Sequence, residues 1–183
     1  MSTYTFNVNL ISYNEIKIVK LPDDISGQLS SRGMNYAEIK INIKNAEITD
    51  AIPLVTQVPL EPDGHKSHWF YIPERLSDQI TEDDVLEIEL TPMDNWPSPS
   101  TPDDFLESLT ASNLYDYYQD LTPKAQWEWM RWIQMTNNSD TRKKRIIASM
   151  DKMHKGMRRP CCFDQTRCTD YNICSNGMLK LTL

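Results

Sequence analysis

Residues 121–156 constrain the fold more than any other stretch, because helix starts, helix ends and apolar spacing all agree within it. Thr122 can cap a first helix, and Pro123 suits its first turn, where the missing backbone N–H costs nothing. Apolar residues then recur at three- and four-residue steps, which places them on one helix face. They are Ala125, Trp129, Trp132 and Ile133.

The polar run 137–140 interrupts this pattern and offers a second helix cap. Apolar residues resume at helical spacing after it and continue up to Gly156, which suits a helix end. They are Ile146, Ile147, Met150 and Met153. The stretch therefore predicts a helical hairpin. Because neither helix can bury its apolar face alone, the two must pack on each other and on the residues that precede them.

The composition is that of a globular protein. The chain has 183 residues, of which 39% are hydrophobic, enough for a packed core in one ordinary domain or two small ones. No run approaches the roughly 18 apolar residues of a membrane helix, and the opening residues lack the charged-then-apolar order of a signal sequence. We therefore expect a cytoplasmic protein without membrane insertion, and its oligomeric state is open.

Before the hairpin, six segments have the apolar patterns of β-strands. They are Tyr4–Leu10, Ile16–Lys20, Ala37–Ile43, Ile48–Thr56, His68–Ile72 and Val85–Leu90. Short helices are predicted at Asp23–Leu29 and Pro73–Gln79, and a loop at Pro59–Ser67. So many strands in so short a stretch favour a small closed barrel, because closure removes exposed strand edges.

The segment 91–102 contains four prolines and no apolar period, which is typical of a semi-extended linker. Two short helices, Asp103–Thr110 and Asn113–Asp120, are predicted between it and the hairpin. The predicted fold class is α+β, with an N-terminal six-stranded closed β-barrel followed by a C-terminal helical unit. The predicted boundaries are 1–92 for the barrel, 93–102 for the linker, 103–160 for the helical domain and 161–183 for a cysteine-containing tail.

The hairpin also carries short motifs, namely Leu121-Thr122-Pro123, Arg131-Trp132-Ile133, Thr141-Arg142 with Arg145-Ile146, and Gly156. In these motifs it resembles the C-terminal segment of the bacterial YdeI/OmpD-associated, or bacteriocin-protection, family. The N-terminal part resembles a six-stranded barrel domain of unknown function that is often joined to it, through Ser31-Arg32-Gly33-Met34, Asp63-Gly64 and Ser67-His68-Trp69. The resemblance implies a cytoplasmic protein linked to resistance against cationic antimicrobial peptides, without a defined catalytic residue.

Enzyme signatures do not stand out in the sequence. The chain has five glycines, and none belongs to a phosphate-binding loop, a dinucleotide turn or a G-x-S-x-G elbow. We therefore predict a non-enzymatic binding protein without a cofactor. Arg32, His68 and Tyr71 are expected to line the barrel mouth, and a small ligand or peptide to bind there or in a groove between barrel and helices. Together with the resemblance, this predicts a contribution to resistance against cationic antimicrobial peptides and bacteriocins.

A basic run opens the second hairpin helix, within the basic segment 141–159. Eight Lys or Arg against one Asp give that segment 8 − 1 = +7, which leaves −7 − 7 = −14 for the rest of the chain. One interpretation is an anion or nucleic-acid contact. The other, internal pairing with carboxylates on neighbouring helices, is favoured because the acidic remainder would repel nucleic acid. These carboxylates are Asp103, Asp104, Glu107, Asp116, Asp120 and Glu128. The run consists of Arg142, Lys143, Lys144 and Arg145.

Two patterns raise the possibility of metal binding. His65 and His68 have an H-x-x-H spacing close to Asp63, so a metal-dependent enzyme is an alternative, although this spacing is common by chance. The tail holds four cysteines without C-x-x-C pairs, and for these a metal site, conditional disulfides and reduced thiols all stay open. They are Cys161, Cys162, Cys168 and Cys174.

Overall fold

The computed structural model describes residues 2–13, 15–44, 54–161 and 163–180. They form a mixed α+β protein, so the predicted fold class is confirmed at that level. Backbone contacts divide the chain into two compact units. The first, the sheet unit, comprises 1–94, 165–168 and 175–183, and the second, the helical unit, comprises 95–164 and 169–174.

A seven-stranded antiparallel sheet, curled into a half-barrel, dominates the sheet unit. Its order is β1-β7-β4-β5-β6-β3-β2, and two short helices, α1 and α2, lie between strands. The strands are β1 (Tyr4–Asn9), β2 (Ile11–Tyr13), β3 (Ile16–Lys20), β4 (Asn35–Ile43), β5 (Leu54–Pro62), β6 (His68–Tyr71) and β7 (Val85–Pro92). The helices are α1 (Asp23–Ser26) and α2 (Glu74–Ser77).

The prediction of a closed six-stranded barrel is wrong. The first predicted strand corresponds to β1, which pairs with β7, whereas the residues directly after Leu10 form a strand that was not predicted, β2, which pairs with β3. These two strands are the opposite ends of the sheet, so the sheet curls without being a closed ring of six strands. Alternating apolar residues predict that a strand exists, but not the point at which its pairing partner changes.

The alternation correctly predicts which side of β4 and β7 is buried. Ile39 pairs with Leu90 and Ile41 with Ile88, and all four side chains lie in the core. Lys40 lies on the opposite face, where its Nζ is 2.6 Å from a carboxylate oxygen of Glu89. The central strands therefore bury one face and place charged pairs on the other.

The predicted loop at Pro59–Ser67 is shorter than expected, because β5 continues to Pro62. What remains is a tight turn built on the buried carboxylate of Asp63, whose Oδ1 accepts hydrogen bonds from the backbone N–H groups of His65 (2.7 Å) and Ser67 (2.8 Å). The early part of the predicted fourth strand, residues 48–53, lies outside the described residues.

The helical unit contains the predicted hairpin. Its helices are α3 (Asp103–Ala111), α4 (Tyr115–Gln119), α5 (Pro123–Gln134) and α6 (Ser139–His154). Thr122 caps α5 by accepting from the N–H of Ala125 at 3.3 Å, and Asn138 caps α6 by accepting from the N–H of Thr141 at 2.8 Å. Trp129 and Ile133 are fully buried and Trp132 is half-buried.

The predicted apolar face of the second hairpin helix is not buried throughout. Ile146, Met150 and Met153 lie in the core, whereas Ile147 is 69% exposed. Adjacent helical residues point about 100° apart, so only one of two neighbouring isoleucines can face the core. Within the described residues, no helix is both long enough and apolar enough to span a bilayer.

The tail forms a small hairpin that the sequence analysis missed. Its strands are β8 (Cys174–Ser175) and β9 (Met178–Leu179), joined by Asn176 and Gly177 at φ 53° and 82°. Asn-Gly at two positive-φ positions is the usual sequence of a tight hairpin turn, so the dipeptide was an available signal. Within the sheet unit, the N–H of Leu179 donates to the carbonyl oxygen of Asp63 at 2.7 Å.

Gly64→Ala should destabilise the protein by more than about 2 kcal/mol, because a Cβ there would lie 2.2 Å from the carbonyl oxygen of Gly177, in a residue with φ of +77°. The matched control is Gly156→Ala, which has a similar φ of +78° but no atom within 4 Å of the added Cβ and should cost only about 1 kcal/mol. Urea unfolding followed by circular dichroism measures both. Equal costs would show that the backbones at Gly64 and Gly177 do not approach each other.

Candidate functional sites

His68 is fully buried in the sheet unit and is hydrogen-bonded through both ring nitrogens. Its Nδ1 is 2.7 Å from the hydroxyl of Ser26, and its Nε2 is 2.8 Å from the carbonyl oxygen of Gly33 and 3.1 Å from the amide nitrogen of Asn35. Because a carbonyl oxygen can only accept, Nε2 carries a hydrogen and Nδ1 is suited to accept from Ser26. The imidazole therefore connects α1, the turn before β4 and the start of β6.

Arg32 and Tyr71, the other two predicted ligand-binding residues, lie in different positions relative to His68. Arg32 is exposed and donates from Nη1 to the carbonyl oxygen of Lys66 at 2.9 Å, next to the turn that leads to His68. Tyr71 is 39% exposed and packs edge to face on Trp69, with ring centroids 4.9 Å apart. Since side chains alternate along a strand, Tyr71 points to the face opposite His68. Ligand binding by these three residues stays a prediction.

The metal-dependent alternative receives no support from the two histidines. His65 is exposed, with Nε2 3.3 Å from the carbonyl oxygen of Leu179, while both nitrogens of His68 are engaged inside the core. Over the ranges that the structure describes, no group of three His, Cys, Asp or Glu side chains is placed to hold a metal ion.

Two residues of the basic run have partners within the helical unit. Arg142 binds Asp104 through two hydrogen bonds of 2.7 and 2.8 Å, and this contact lowers the pKa of Asp104 and raises that of Arg142. Arg145 donates to the carbonyl oxygen of Trp132 at 2.9 Å. Lys143 and Lys144 are exposed. The internal pairing that the sequence favoured is thus present at Arg142, and nucleic-acid binding by this run has no support in the structure.

Glu128 on α5 is a buried carboxylate that the sequence analysis mentioned only as a possible partner of the basic run. It is 3% exposed, and neither of its oxygens accepts a hydrogen bond from a described residue. Arg159 forms an ion pair with it, with Nη1 3.4 Å from Oε1, and Lys124 and Arg131 contribute further positive charge. Its spacing in the sequence was a signal of this burial. Glu128 follows Ala125 by three residues and precedes Trp132 by four, which places it on the predicted apolar face of the helix.

Burial changes the pKa of this carboxylate more than the neighbouring positive charges do. It raises the pKa of Glu128, and the charges of Arg159, Lys124 and Arg131 offset only part of that shift. Lys124 also lies over the ring of Trp96, with Nζ 5.0 Å from the centroid. The helical unit therefore holds an anion in its core at a cost in stability whenever the carboxyl group is ionised.

The cysteines differ from one another. Cys161 is not in a disulfide, whereas Cys168 and Cys174 are disulfide-bonded, and Cys162 lies outside the described residues. Among the possibilities left open by the sequence, the structure therefore shows disulfide bonding at Cys168 and Cys174.

The Glu128→Gln variant should be at least as stable as the wild type at neutral pH, with a gain on the order of 1 kcal/mol. A carboxyl group with a raised pKa in the folded state binds its proton more tightly there. Its contribution to the free energy of unfolding is therefore fully present in acid and is lost as pH rises above the ordinary glutamate range. The difference in unfolding free energy between the variant and the wild type should therefore increase from pH 4 towards pH 7. Urea unfolding across that range measures it, and a difference that does not change with pH would contradict the assignment.

A double-mutant cycle with Asp104→Asn and Arg142→Gln should give a coupling energy of about 0.5 kcal/mol, because the pair is bidentate but partly exposed. The coupling should decrease with added salt. Lys155 and Asp151 form a more exposed pair on α6, and substitutions there serve as the comparison with an expected coupling near zero. A coupling energy no larger than that of the Lys155–Asp151 pair would show that the contact between Arg142 and Asp104 does not stabilise the fold.

Residues 99–156 match a family model described as "Bacteriocin-protection, YdeI or OmpD-Associated". The match covers α3 to α6 and the preceding residues, so the resemblance seen in the hairpin motifs is confirmed for this part of the chain. No curated protein sequence matches the chain. The family match does not include the N-terminal part of the chain. There the resemblance to a barrel domain of unknown function has only the curled sheet in its favour.

Proposed function

We propose that this chain is a non-enzymatic, cytoplasmic binding protein that contributes to protection against bacteriocins and cationic antimicrobial peptides by binding such peptides. The observation that carries the proposal is the match of residues 99–156 to a family described by bacteriocin protection. The binding surface is then expected within the matched residues. Within the helical unit, the distribution of charge and the exposed side chains favour α3 and α4 as the peptide-binding surface.

The charges of the matched segment are divided along its length. Residues 99–140 contain seven carboxylates and two cationic side chains, which sum to 2 − 7 = −5, whereas α6 and the residues after it are basic. Three of the carboxylates, Asp103, Glu107 and Asp116, are exposed and make no ion pair with any described residue. We call the exposed side of α3 and α4 that carries them the acidic face. A cationic peptide can approach it without first displacing an internal cation.

An exposed aromatic ring lies next to one of these carboxylates along the chain. Tyr115 is 44% exposed and precedes Asp116 in the same helix. Its neighbour Tyr118 is buried and packs edge to face on Phe105 of α3, with ring centroids 5.4 Å apart, which links the two helices. Carboxylates attract cationic side chains, while a tyrosine ring adds contact area for the apolar side of an amphipathic peptide.

A cytoplasmic location has a consequence for the tail. Disulfides are rare in reducing compartments, so the bonds at Cys168 and Cys174 would form there only under oxidising conditions. The acidic face contains no cysteine, and peptide binding should therefore be independent of their redox state.

The test uses the full-length chain and a fluorescently labelled amphipathic peptide rich in lysine and leucine, titrated by fluorescence anisotropy at low and at physiological salt. The wild type should bind, and the triple variant Asp103→Asn, Glu107→Gln, Asp116→Asn should bind about tenfold more weakly, a change of about 1.4 kcal/mol. The same variant should protect cells less well than the wild type in a peptide-killing assay.

The matched control removes three exposed carboxylates from the sheet unit by the changes Asp78→Asn, Glu82→Gln and Asp83→Asn. It has the same net charge as the first variant and should keep the affinity of the wild type. Equal weakening in both variants would reduce the effect to non-specific attraction by net charge. No detectable binding by the wild type at low salt would overturn the proposal.

A further inference from the structure

Lys152 and Cys161 face each other at one end of the helical unit. The Nζ atom of Lys152 lies 2.5 Å from the Sγ atom of Cys161, and both residues are half-buried. An N–H···O hydrogen bond typically spans about 2.9 Å, and a bond to the larger sulfur atom should be longer. The observed separation is too short for an ordinary hydrogen bond and too long for a direct bond, but it leaves room for one bridging atom.

The pair is positioned from both sides by packed structure. Lys152 is in the last turn of α6, and its Nζ lies 5.8 Å from the ring centroid of Trp132 on α5. The chain then reverses at Gly156, which has φ of +78°, and the N–H of Met157 donates back to the carbonyl oxygen of Lys152 at 3.1 Å. The turn returns the following residues towards the helix end.

The segment that carries Cys161 is also fixed to α5. The indole N–H of the buried Trp129 donates to the carbonyl oxygen of Arg158 at 3.2 Å, and Pro160 is buried. A guanidinium nitrogen of Arg158 donates in turn to the carbonyl oxygen of Asp120 at 2.7 Å. Several independent contacts therefore fix the two backbone segments that carry the amine and the thiol.

We propose that Lys152 and Cys161 form a covalent nitrogen–oxygen–sulfur bridge under oxidising conditions, with dioxygen as the oxidant. An ammonium group beside a thiol stabilises the thiolate, which is the form that oxidants attack. In the overall reaction the S–H bond and one N–H bond break, and S–O and N–O bonds form. One oxygen atom enters the bridge and the other leaves as water, so sulfur and nitrogen each lose two electrons and dioxygen gains four. Two equivalents of a dithiol supply four electrons and four protons, which restore the thiol and the amine and release the bridging oxygen as water.

The bridge would join the end of α6 to the segment that follows it, beyond the residues matched by the family model. It is independent of the proposed peptide binding, because neither residue belongs to the acidic face. It makes the end of the helical unit a redox-sensitive element.

The experiment is peptide mapping of the air-exposed full-length protein by mass spectrometry, with and without dithiothreitol. We expect a cross-linked species that contains Lys152 and Cys161 and has gained one oxygen atom and lost two hydrogen atoms. Trypsin should fail to cleave after Lys152 in that species, since the modified amine no longer fits a lysine-specific cut. Dithiothreitol should remove the cross-link and restore cleavage.

Lys152→Arg and Cys161→Ser should each abolish the cross-linked species. Lys155→Arg, three residues further along and paired with Asp151, should leave it unchanged. Because the wild-type map alone tests the bridge, the result does not depend on whether a variant folds. An unmodified Cys161 thiol after prolonged exposure to air, oxidation of Cys161 without attachment to Lys152, or a disulfide at Cys161 would each overturn the proposal.

Discussion

The half-barrel depends on one short stretch of chain that forms both edges of the sheet. Residues of β1 form six successive pairs with β7, and after Leu10 the same stretch forms three pairs with β3. Without these contacts β7 and β3 would be edge strands that expose unpaired backbone groups, which is where sheets associate and aggregate. The buried side of the remaining strands can stay apolar because the curl encloses it. Leu10, at the change of partner, is itself buried.

Two buried carboxylates, Asp63 in the sheet unit and Glu128 in the helical unit, have different surroundings. In the sheet unit, His68 has a partner at each ring nitrogen and Asp63 accepts two backbone hydrogen bonds, so these polar groups fix the turns around them. In the helical unit, Glu128 is buried with nearby cations but accepts no hydrogen bond from a described residue. Satisfied buried groups commonly serve structure, whereas a buried carboxylate held at a cost is the more informative feature for function.

Local patterns in the sequence were sufficient to predict most of the helices and strands. The caps at Thr122 and at 137–140, the two hairpin helices and the buried faces of β4 and β7 follow from periodicity and capping chemistry, which act over a few residues. The additional strand β2, the length of β5 and the exposure of Ile147 depend on long-range pairing and packing, which periodicity does not encode. Of the six carboxylates named as possible partners of the basic run, Asp104 is the one that binds a residue of the run, Arg142, within the described part of the chain. The burial of His68 was not foreseen, because a polar residue next to apolar neighbours is taken as exposed until its partners are known. The burial of Glu128 was not predicted either, although its helical spacing from Ala125 and Trp132 places it on the predicted apolar face.

The sheet unit is assembled from pieces at both ends of the chain. Leu179 is buried against the turn at Asp63, and the unit includes residues that come after the entire helical unit in sequence. During synthesis, the sheet unit can therefore reach its final packing only after Leu179 has left the ribosome. The limits of a family match and the limits of a folding unit are accordingly different in this protein, and a chain cut at Gly156 would keep every matched residue while leaving the Asp63 turn uncovered.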